Sequence, residues 1–377
     1  MRLFRELAAL ALAVSATACT LWYLADDPYR GLGADGGDAI ADVSPIDDAG
    51  CDADTQSDPA NCGACSHGCL GGACEAGVCQ PTQFYAGPGV AEIVANDAYV
   101  VFSKGTAAGG GIFQCDVGAV CTATEITGSQ AVVIGVDPAT PSYTYWTDFP
   151  YGEIDRCPLG GCANPVVIFP DASSAFTPIA VGSTKVFAYD GTQVFSCDKN
   201  DVDCTYTFQR IAAATTVNGT ATDGTRLFWT TGSEVWKCKN ANCGAGVVLA
   251  SDDAGAYGPV AADEATVDGG GVFWADTQRD DIFACNATAC TAPTLVATQQ
   301  KAPVAIAVDD QNVYWIPQPA KNAPASIMRC AKSCDATKDT PVLVAQADIT
   351  LDTQTLAVNA TAIYWIDSDG GIVVLAK

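Results

Sequence analysis

The chain has a single histidine, His67, and two methionines among its 377 residues. Histidine-based catalysis and histidine-rich metal sites are therefore excluded from almost all of it. Basic residues are also scarce: 18 Lys and Arg stand against 43 Asp and Glu, a formal net charge of −25. A protein that neutralises phosphates needs the opposite surface, so nucleic acid is not an expected partner. Charged residues of both signs make up only 16% of the chain and hydrophobic ones 49%, which argues against disorder. No P-loop and no dinucleotide fingerprint occurs in a strand–helix setting.

Cysteine, in contrast, is abundant. Nineteen cysteines in a chain of this length point to an oxidising compartment. The N-terminus agrees. Arg2 and Arg5 precede an apolar run, Leu7 to Ala18, that ends in Ala16-Thr17-Ala18-Cys19. Small residues before a cysteine resemble a bacterial lipobox, which implies cleavage there and a lipid on Cys19. An uncleaved anchor of ~18 residues running through Leu21-Trp22-Tyr23-Leu24, or a plain cleaved signal peptide, are the other two readings. All three export the rest of the chain. Setting Cys19 aside leaves an even number of cysteines.

Residues 1–19 thus read as a signal segment and 20–50 as an acidic linker. Between Asp26 and Asp58 the only basic residue is Arg30, and no hydrophobic period is present. Asp52, Asp54 and Asp58 suggest a calcium loop. An EF-hand starting at Asp52 needs glycine and glutamate where Ser57 and Gly63 stand. Residues 51–80 form a small module with Cys51, Cys62, Cys65, Cys69, Cys74 and Cys79, too short to build a core without staples. Disulfides are the expectation, and their pairing is open. A metal knuckle at Cys62-x-x-Cys65 is the alternative. The stretch Asn61 to Cys79 resembles the short cysteine-rich module of secreted myxobacterial proteins and, more distantly, the plant stigma-specific family. That resemblance implies secretion and no particular reaction.

Residues 81–377 are a repeat. An aromatic, β-branched motif recurs seven times, with Val101, Trp146, Ala188, Trp229, Trp274, Trp315 and Trp365 in register. The steps between them are 45, 42, 41, 45, 41 and 50 residues, near the period of a four-stranded propeller blade. A second strand follows each copy, with Ile or Val three residues before a cysteine. Each such cysteine has a near neighbour: Cys115/Cys121, Cys157/Cys162, Cys197/Cys204, Cys238/Cys243, Cys285/Cys290 and Cys330/Cys334. With strands named a to d from the centre outward, each pair is expected to form a disulfide across the c–d hairpin. The seventh copy has Leu375 in place of the cysteine and lacks a strand d. The segment near 81–86, Pro81-Thr82-Gln83-Phe84-Tyr85, matches the other d strands and is expected to complete that blade. The fold class is therefore all-β, a seven-bladed β-propeller. Six blades is the alternative if the first or third repeat is degenerate.

The b strands resemble the YWTD β-propeller repeats of receptor ectodomains. Tyr145-Trp146-Thr147-Asp148 matches in full, and Ala275 and Ile366 replace the threonine elsewhere. YWTD propellers have six blades. The chain is also similar to secreted myxobacterial propeller proteins that follow a comparable cysteine-rich module. Both likenesses imply a rigid binding scaffold without naming a ligand.

A propeller offers a channel and two loop faces. Asp148, Asp190, Asp276 and Asp367 recur at the ends of b strands, and Asp137, Asp223, Asp268 and Asp309 before a–b turns. Repetition favours backbone capping for both sets. The register of the tryptophans favours packing between blades over sugar stacking. His67 reads as a solvated loop histidine. Two loops break the repeat, one near Tyr257 and one carrying Pro317, Gln318 and Lys321, and these four residues are the expected ligand-facing positions. No catalytic, cofactor or metal site emerges. The expectation is an exported, membrane-tethered, non-catalytic binding protein of the bacterial outer membrane or cell surface, or of the periplasm or medium. Its partner would be a protein or glycan ligand. The rival is a propeller hydrolase or lyase acting on envelope polysaccharide through acidic residues.

Overall fold

The computed structural model describes residues 53–377, apart from 106–107, 119, 129–130, 139–142, 149–151, 170–178, 192, 200–208, 214–215, 239–245, 264–269, 322, 350–355 and the side chains of 131–133 and 209–213. Among the described residues the strands form seven four-stranded sheets and one two-stranded sheet. Blade 1 runs Val90–Ala95, Tyr99–Lys104, Ile112–Asp116 and Thr124–Thr127 from the centre outward, and blade 2 Ala131–Val136, Tyr143–Asp148, Glu153–Pro158 and Val166–Phe169. Blade 3 is Ile179–Val181, Lys185–Tyr189, Gln193–Asp198 and Gln209–Ala213, and blade 4 is Gly219–Thr222, Leu227–Thr231, Glu234–Cys238 and Gly246–Ser251. Blade 5 is Tyr257–Ala262, Gly271–Asp276, Asp281–Asn286 and Thr294–Ala297, and blade 6 is Ala305–Val308, Asn312–Ile316, Ala325–Ala331 and Val342–Ala347. Each is an antiparallel meander. The inner strands touch in a closed cycle, with blade 7 against blade 1. The protein is an all-β, seven-bladed β-propeller, and the first and third repeats are full blades.

Burial explains the residue choice in each layer. Strand b lies between neighbouring blades and is covered on both faces, so its side chains are largely apolar and buried; all five residues of Ala362–Ile366 are buried. Strand d is outermost, and Val342 and Leu343 remain 51% and 49% exposed. The five motif tryptophans, Trp146, Trp229, Trp274, Trp315 and Trp365, are at most 1% exposed. They fill the seams: Trp146 of blade 2 clusters with Val101 and Ile112 of blade 1, and Trp315 of blade 6 with Phe273 and Ile282 of blade 5. Packing, not ligand stacking, accounts for their register.

Every c–d ladder shifts register at the same place. The shift follows Ile112, Ile154, Val194, Val235, Ile282, Ile327 and, in blade 7, Ile372. A bulge there adds twist to the outer strand. Three residues further on, disulfides close the hairpin as expected: Cys115–Cys121, Cys157–Cys162, Cys285–Cys290 and Cys330–Cys334. Each loop is short, four to six residues of separation, so the chain-entropy gain is ~2 kcal/mol apiece. Cys197 and Cys238 are also disulfide-bonded, while Cys204 and Cys243 lie outside the described residues.

Blade 7 is assembled from both ends of the sequence. Leu356–Val358, Ala362–Ile366 and Ile372–Ala376 are followed by Thr82–Tyr85, which pairs antiparallel with Ile372–Ala376 through Thr82↔Val374 and Gln83↔Val373. Phe84 is 1% exposed and meets Tyr364 edge-on at 5.3 Å between ring centroids.

The small module precedes this strand. Its pairing is Cys62–Cys74 and Cys69–Cys79, around the two-stranded sheet Cys74–Glu75 and Val78–Cys79. Cys62 therefore does not join Cys65 in a metal knuckle. Cys65 is disulfide-bonded too, and Cys51 lies outside the described residues. The module and propeller form one compact unit, Asp52–Lys377, with the module cysteines in the same buried cluster as Tyr314, Trp365 and Leu375. His67 is not solvated on a loop. It is half-buried, with Nδ1 on the carbonyl of Cys62 and Nε2 on the main-chain oxygen of Lys377, and so ties the module to the last strand.

If Thr82–Tyr85 closes the ring, Phe84→Ala removes a core side chain and costs about 3–5 kcal/mol. Urea unfolding measures this, and a loss under about 1 kcal/mol would show that the strand is not part of the cooperative fold.

Candidate functional site

An antiparallel meander puts the a–b turns and c–d hairpins on one face and the b–c turns on the other. On the a–b face the channel opens into a cavity of about 370 Å³, lined by the turns of all seven blades. Its polar rim is Asn96, Asp97, Thr222, Asp263, Asp309, Asp310 and Asn359. Below it lies a space of about 260 Å³ along the inner strands, next to Val94, Gly135, Val136, Thr220, Ala307 and Leu356.

Backbone capping accounts for one side-chain atom of Asn96, Asp223, Asp309 and Asn359. Asn96 Oδ1 accepts from the amides of Ala98 and Tyr99 at 2.9 and 2.7 Å. Asp223 does the same for Thr225 and Arg226, Asp309 for Gln311 and Asn312, and Asn359 for Thr361 and Ala362. These are Asx turns. Asp268 lies outside the described residues; in blade 5 Asp263 takes the equivalent place and caps Gly271.

The second atom of each group crosses to a neighbour, and its chemistry follows its charge. Asp137 pairs with Lys199 of blade 3, Asp263 with Lys332 of blade 6 and Asp309 with Lys377 of blade 7, the first two at 2.6 Å and the third at 2.5 Å. These lysines occupy one repeat position, two residues after Cys197, Cys330 and Leu375. In three of the four blades where that position is not lysine, the residue that precedes it at the neighbouring a–b turn is neutral. Val117, Leu159 and Asn240 stand there in blades 1, 2 and 4, and the turns before them carry Asn359, Asn96 and Gly182. Asn359 Nδ2 donates to the carbonyl of Asn96 at 3.1 Å, and Asn96 Nδ2 to that of Asp137 at 2.9 Å. At Gly182 a Cβ would sit 2.7 Å from the Gly224 carbonyl, and Ser183 donates to that same oxygen instead. In blade 4 Asp223 is held by its own Arg226, whose Nη1 reaches the Ala287 carbonyl of blade 5 at 3.3 Å. The a–b acids thus hold seams together. Among the described residues Asp97 and Asp310 are the rim carboxylates outside any ion pair, although Asp97 accepts from the Ala360 amide at 2.9 Å.

The b-strand acids are structural as well. Asp276 is fully buried and caps Ala256, Gln278 and Arg279; Asp367 caps Asp369 and Gly371; Asp190 caps Gln193. Beside Asp148, the carboxyl of Asp155 is raised to about 6, first by burial and then by the charges of Asp148 and Glu153. Among the described residues the one set of side chains close enough to hold a metal is Cys62, Cys69 and Cys79, whose sulfurs are already in disulfides.

The expected ligand loops divide. Gln318 and Lys321 are exposed and Pro317 is half-buried, on the face opposite the cavity. Tyr257 does not face a ligand: it is 3% exposed, and its ring packs 5.9 Å from that of Trp274. Position near a repeat-breaking loop did not signal this, because Tyr257 opens strand a and points into the seam. The a–b rim did not stand out in the sequence as a candidate site because its residues read as turn caps. Its one sequence signal is the lysine two residues after the strand-c cysteine.

Among the described residues one acid, Glu92, lies within an inner strand. Glu92 is 8% exposed at the seam of blades 1 and 2, accepts the Ile134 amide at 2.9 Å, and is pushed up to about 8 by burial.

No protein-family profile matches the chain, and no curated protein matches it. Solved structures do. Virginiamycin B lyase from Staphylococcus aureus superposes with a TM-score of 0.57 at 11% identity, covering 79% of this chain and 98% of that one. A streptogramin B lyase gives 0.57 at 12% identity over 78% and 97% of the two chains. PorZ, a surface component of the type-IX secretion system of Porphyromonas gingivalis, gives 0.55 at 13% identity, over 78% of this chain and 38% of that one. At these identities the likeness shows the propeller fold alone.

A raised carboxyl binds its proton in the folded state between pH 4.5 and about 8, while the unfolded chain has released it. Stability from Glu92 is therefore lost as pH rises through that window. Glu92→Gln keeps the acceptor for Ile134 and removes the charge, so its melting temperature should hold from pH 6 to 9 while that of the parent falls. Parallel pH profiles would contradict this.

Proposed function

We propose that the protein is an exported, non-catalytic binding scaffold, and that its ligand enters the channel through the a–b mouth. The mouth is the observation that carries this reading: a concave, polar cavity of about 370 Å³ to which every blade contributes. Disulfides in both the module and the blades support export to an oxidising compartment. The likeness to YWTD repeats and to secreted myxobacterial propellers supports a binding role. The lipobox resemblance supports a lipid on Cys19 and attachment to the outer membrane or cell surface; Cys19 lies outside the described residues.

The rival reading is a lyase, because two solved propellers of similar fold carry that name. One of these proteins is also described as catalytically inactive when a histidine is replaced by alanine. This chain has no histidine in 81–377, and His67 is engaged between module and propeller. The acids of the mouth are largely committed to capping and seam pairing, which leaves a poor general acid–base set.

A thermal-shift screen of the oxidised protein against glycans, peptidoglycan fragments and peptides tests the reading. A ligand at a hundred times its Kd should stabilise by about 2.7 kcal/mol, a shift of several degrees. Ala360→Trp, at the rim, should abolish the shift, and Lys321→Ala, on the other face, should leave it. The opposite pattern moves the site to the Pro317–Lys321 loop, and substrate turnover would overturn the non-catalytic assignment.

A further inference from the structure

Blade 2 breaks the repeat at a buried position. The residue after the strand-c Ile or Val is Phe113, Phe195, Trp236, Phe283, Met328 or Val373 in the other blades, and Asp155 in this one. A blade therefore folds without an acid there. Asp155 is 5% exposed, and its Oδ1 meets no amide, hydroxyl or cation among the described residues. Burying a carboxyl in this way is costly unless it is paired or protonated.

The register shows where it points. Directly opposed residues of an antiparallel ladder share a face of the sheet. Asp155 opposes Trp146, Glu153 opposes Asp148, and Trp146 packs against blade 1. These side chains thus face the seam between blades 1 and 2. From blade 1 the same seam receives Glu92 and Ser103 and, nearer the a–b face, Tyr99 and Asp116. Strands Ala131–Val136 and Val166–Phe169 of blade 2 add no titratable group. No lysine or arginine enters from the two facing sheets among the described residues. Lys104 lies over the rings of Tyr85 and Phe113, on the blade 7 side, and Arg156 over that of Tyr143, on the blade 3 side. The seams that hold Asp137, Asp263 and Asp309 each supply a lysine; this one does not.

The carboxyls of Asp155 and Asp148 are in hydrogen-bonding contact. Two carboxylates in contact repel, so something positive must lie between them. Among the described residues no third acid, cysteine or histidine converges on the pair to complete a metal shell. A proton fits the pair. Burial, and then the charges of Asp148 and Glu153, keep it on Asp155 up to about pH 6.

We propose that the seam between blades 1 and 2 is a proton-held joint, in which protonated Asp155 donates to Asp148 and release of that proton opens the b–c end of the seam. The joint does not depend on what the mouth binds. Its sign follows from linkage: the closed seam holds a proton that the opened one releases, so closure is favoured in acid and weakens as pH rises from 3.8 to about 6.

Hydrogen-exchange mass spectrometry of the full oxidised chain tests this, with Glu92→Gln as the background so that the other buried acid of the seam does not titrate. After correction for the intrinsic pH dependence of exchange, opening of Tyr143–Asp148 and Glu153–Pro158 should rise at least about tenfold from pH 4 to pH 7. Gly271–Asp276 of blade 5 should not share the rise. Adding Asp155→Asn supplies an amide donor to Asp148 at every pH and should abolish it. Adding Asp155→Phe restores the residue of blades 1, 3 and 5 and should do the same. No rise in the Glu92→Gln protein, an equal rise in blade 5, or a rise that survives both Asp155 variants would each overturn the proposal. Calcium chloride at pH 7 gives the last arm: closure of these strands by calcium that Asp155→Asn removes would make the seam a cation site and not a proton-held joint.

Discussion

The structure depends on one pairing, that of Thr82–Tyr85 with Ile372–Ala376. A propeller is a ring, and a ring cut between two blades exposes seam faces that only a neighbouring blade can cover. Here the cut falls inside blade 7 instead of between blades. The backbone ladder, the Phe84–Tyr364 contact and the shared register shift then make the join equivalent to a hairpin, although 289 residues separate Gln83 from Ile372. The join also explains Leu375. In the other blades the staple joins two cysteines of one hairpin, and in blade 7 that hairpin is interrupted. The module takes over part of the staple's work, because its disulfides and His67 sit against the end of the same blade.

The seams show how a repeat protein keeps buried charge in balance. A carboxylate at a tightly packed seam is costly unless paired. The chain places aspartate at an a–b turn where lysine follows the next blade's strand-c position, and asparagine or glycine where it does not. Asp223 breaks the pattern and brings its own arginine. Burial deepens Asp309's dependence on its partners, yet Lys377 and the amides of Gln311 and Asn312 still hold its carboxyl below the usual range. The ring is thus a chain of local electrostatic agreements, each settled between neighbours. What remains unbalanced, Asp97 and Asp310, faces the opening.

Much of this was legible in the sequence, for physical reasons. Strand b is covered on both faces, so its aromatic signature repeats with little noise and the blades can be counted from it. Cysteines four to six apart leave one local partner, which made the hairpin disulfides readable. The missing strand d of the last repeat and the spare one before the first implied closure. Pairings between blades were harder. Lys332 and Asp263 lie 69 residues apart, and their match shows only when whole repeats are aligned. The register shifts leave no residue signature, since the bulge falls beside an ordinary Ile or Val. Tyr257 and His67 were misplaced for a common reason: each lies near an irregular segment, and burial there is decided by what packs from a distant part of the chain.

The functional reading follows from this architecture. Repeated acids belong to the scaffold, the propeller carries no histidine, and the mouth is the concave surface shared by all blades. A ligand held there would touch every blade, so its binding requires an intact ring. Hydrogen-exchange mass spectrometry of the amides of Thr82–Tyr85 tests the closure most directly. The account predicts that they open only with global unfolding, as slowly as those of Thr294–Ala297 in blade 5. Exchange at the rate of a frayed terminus, with the rest of the propeller still protected, would contradict it.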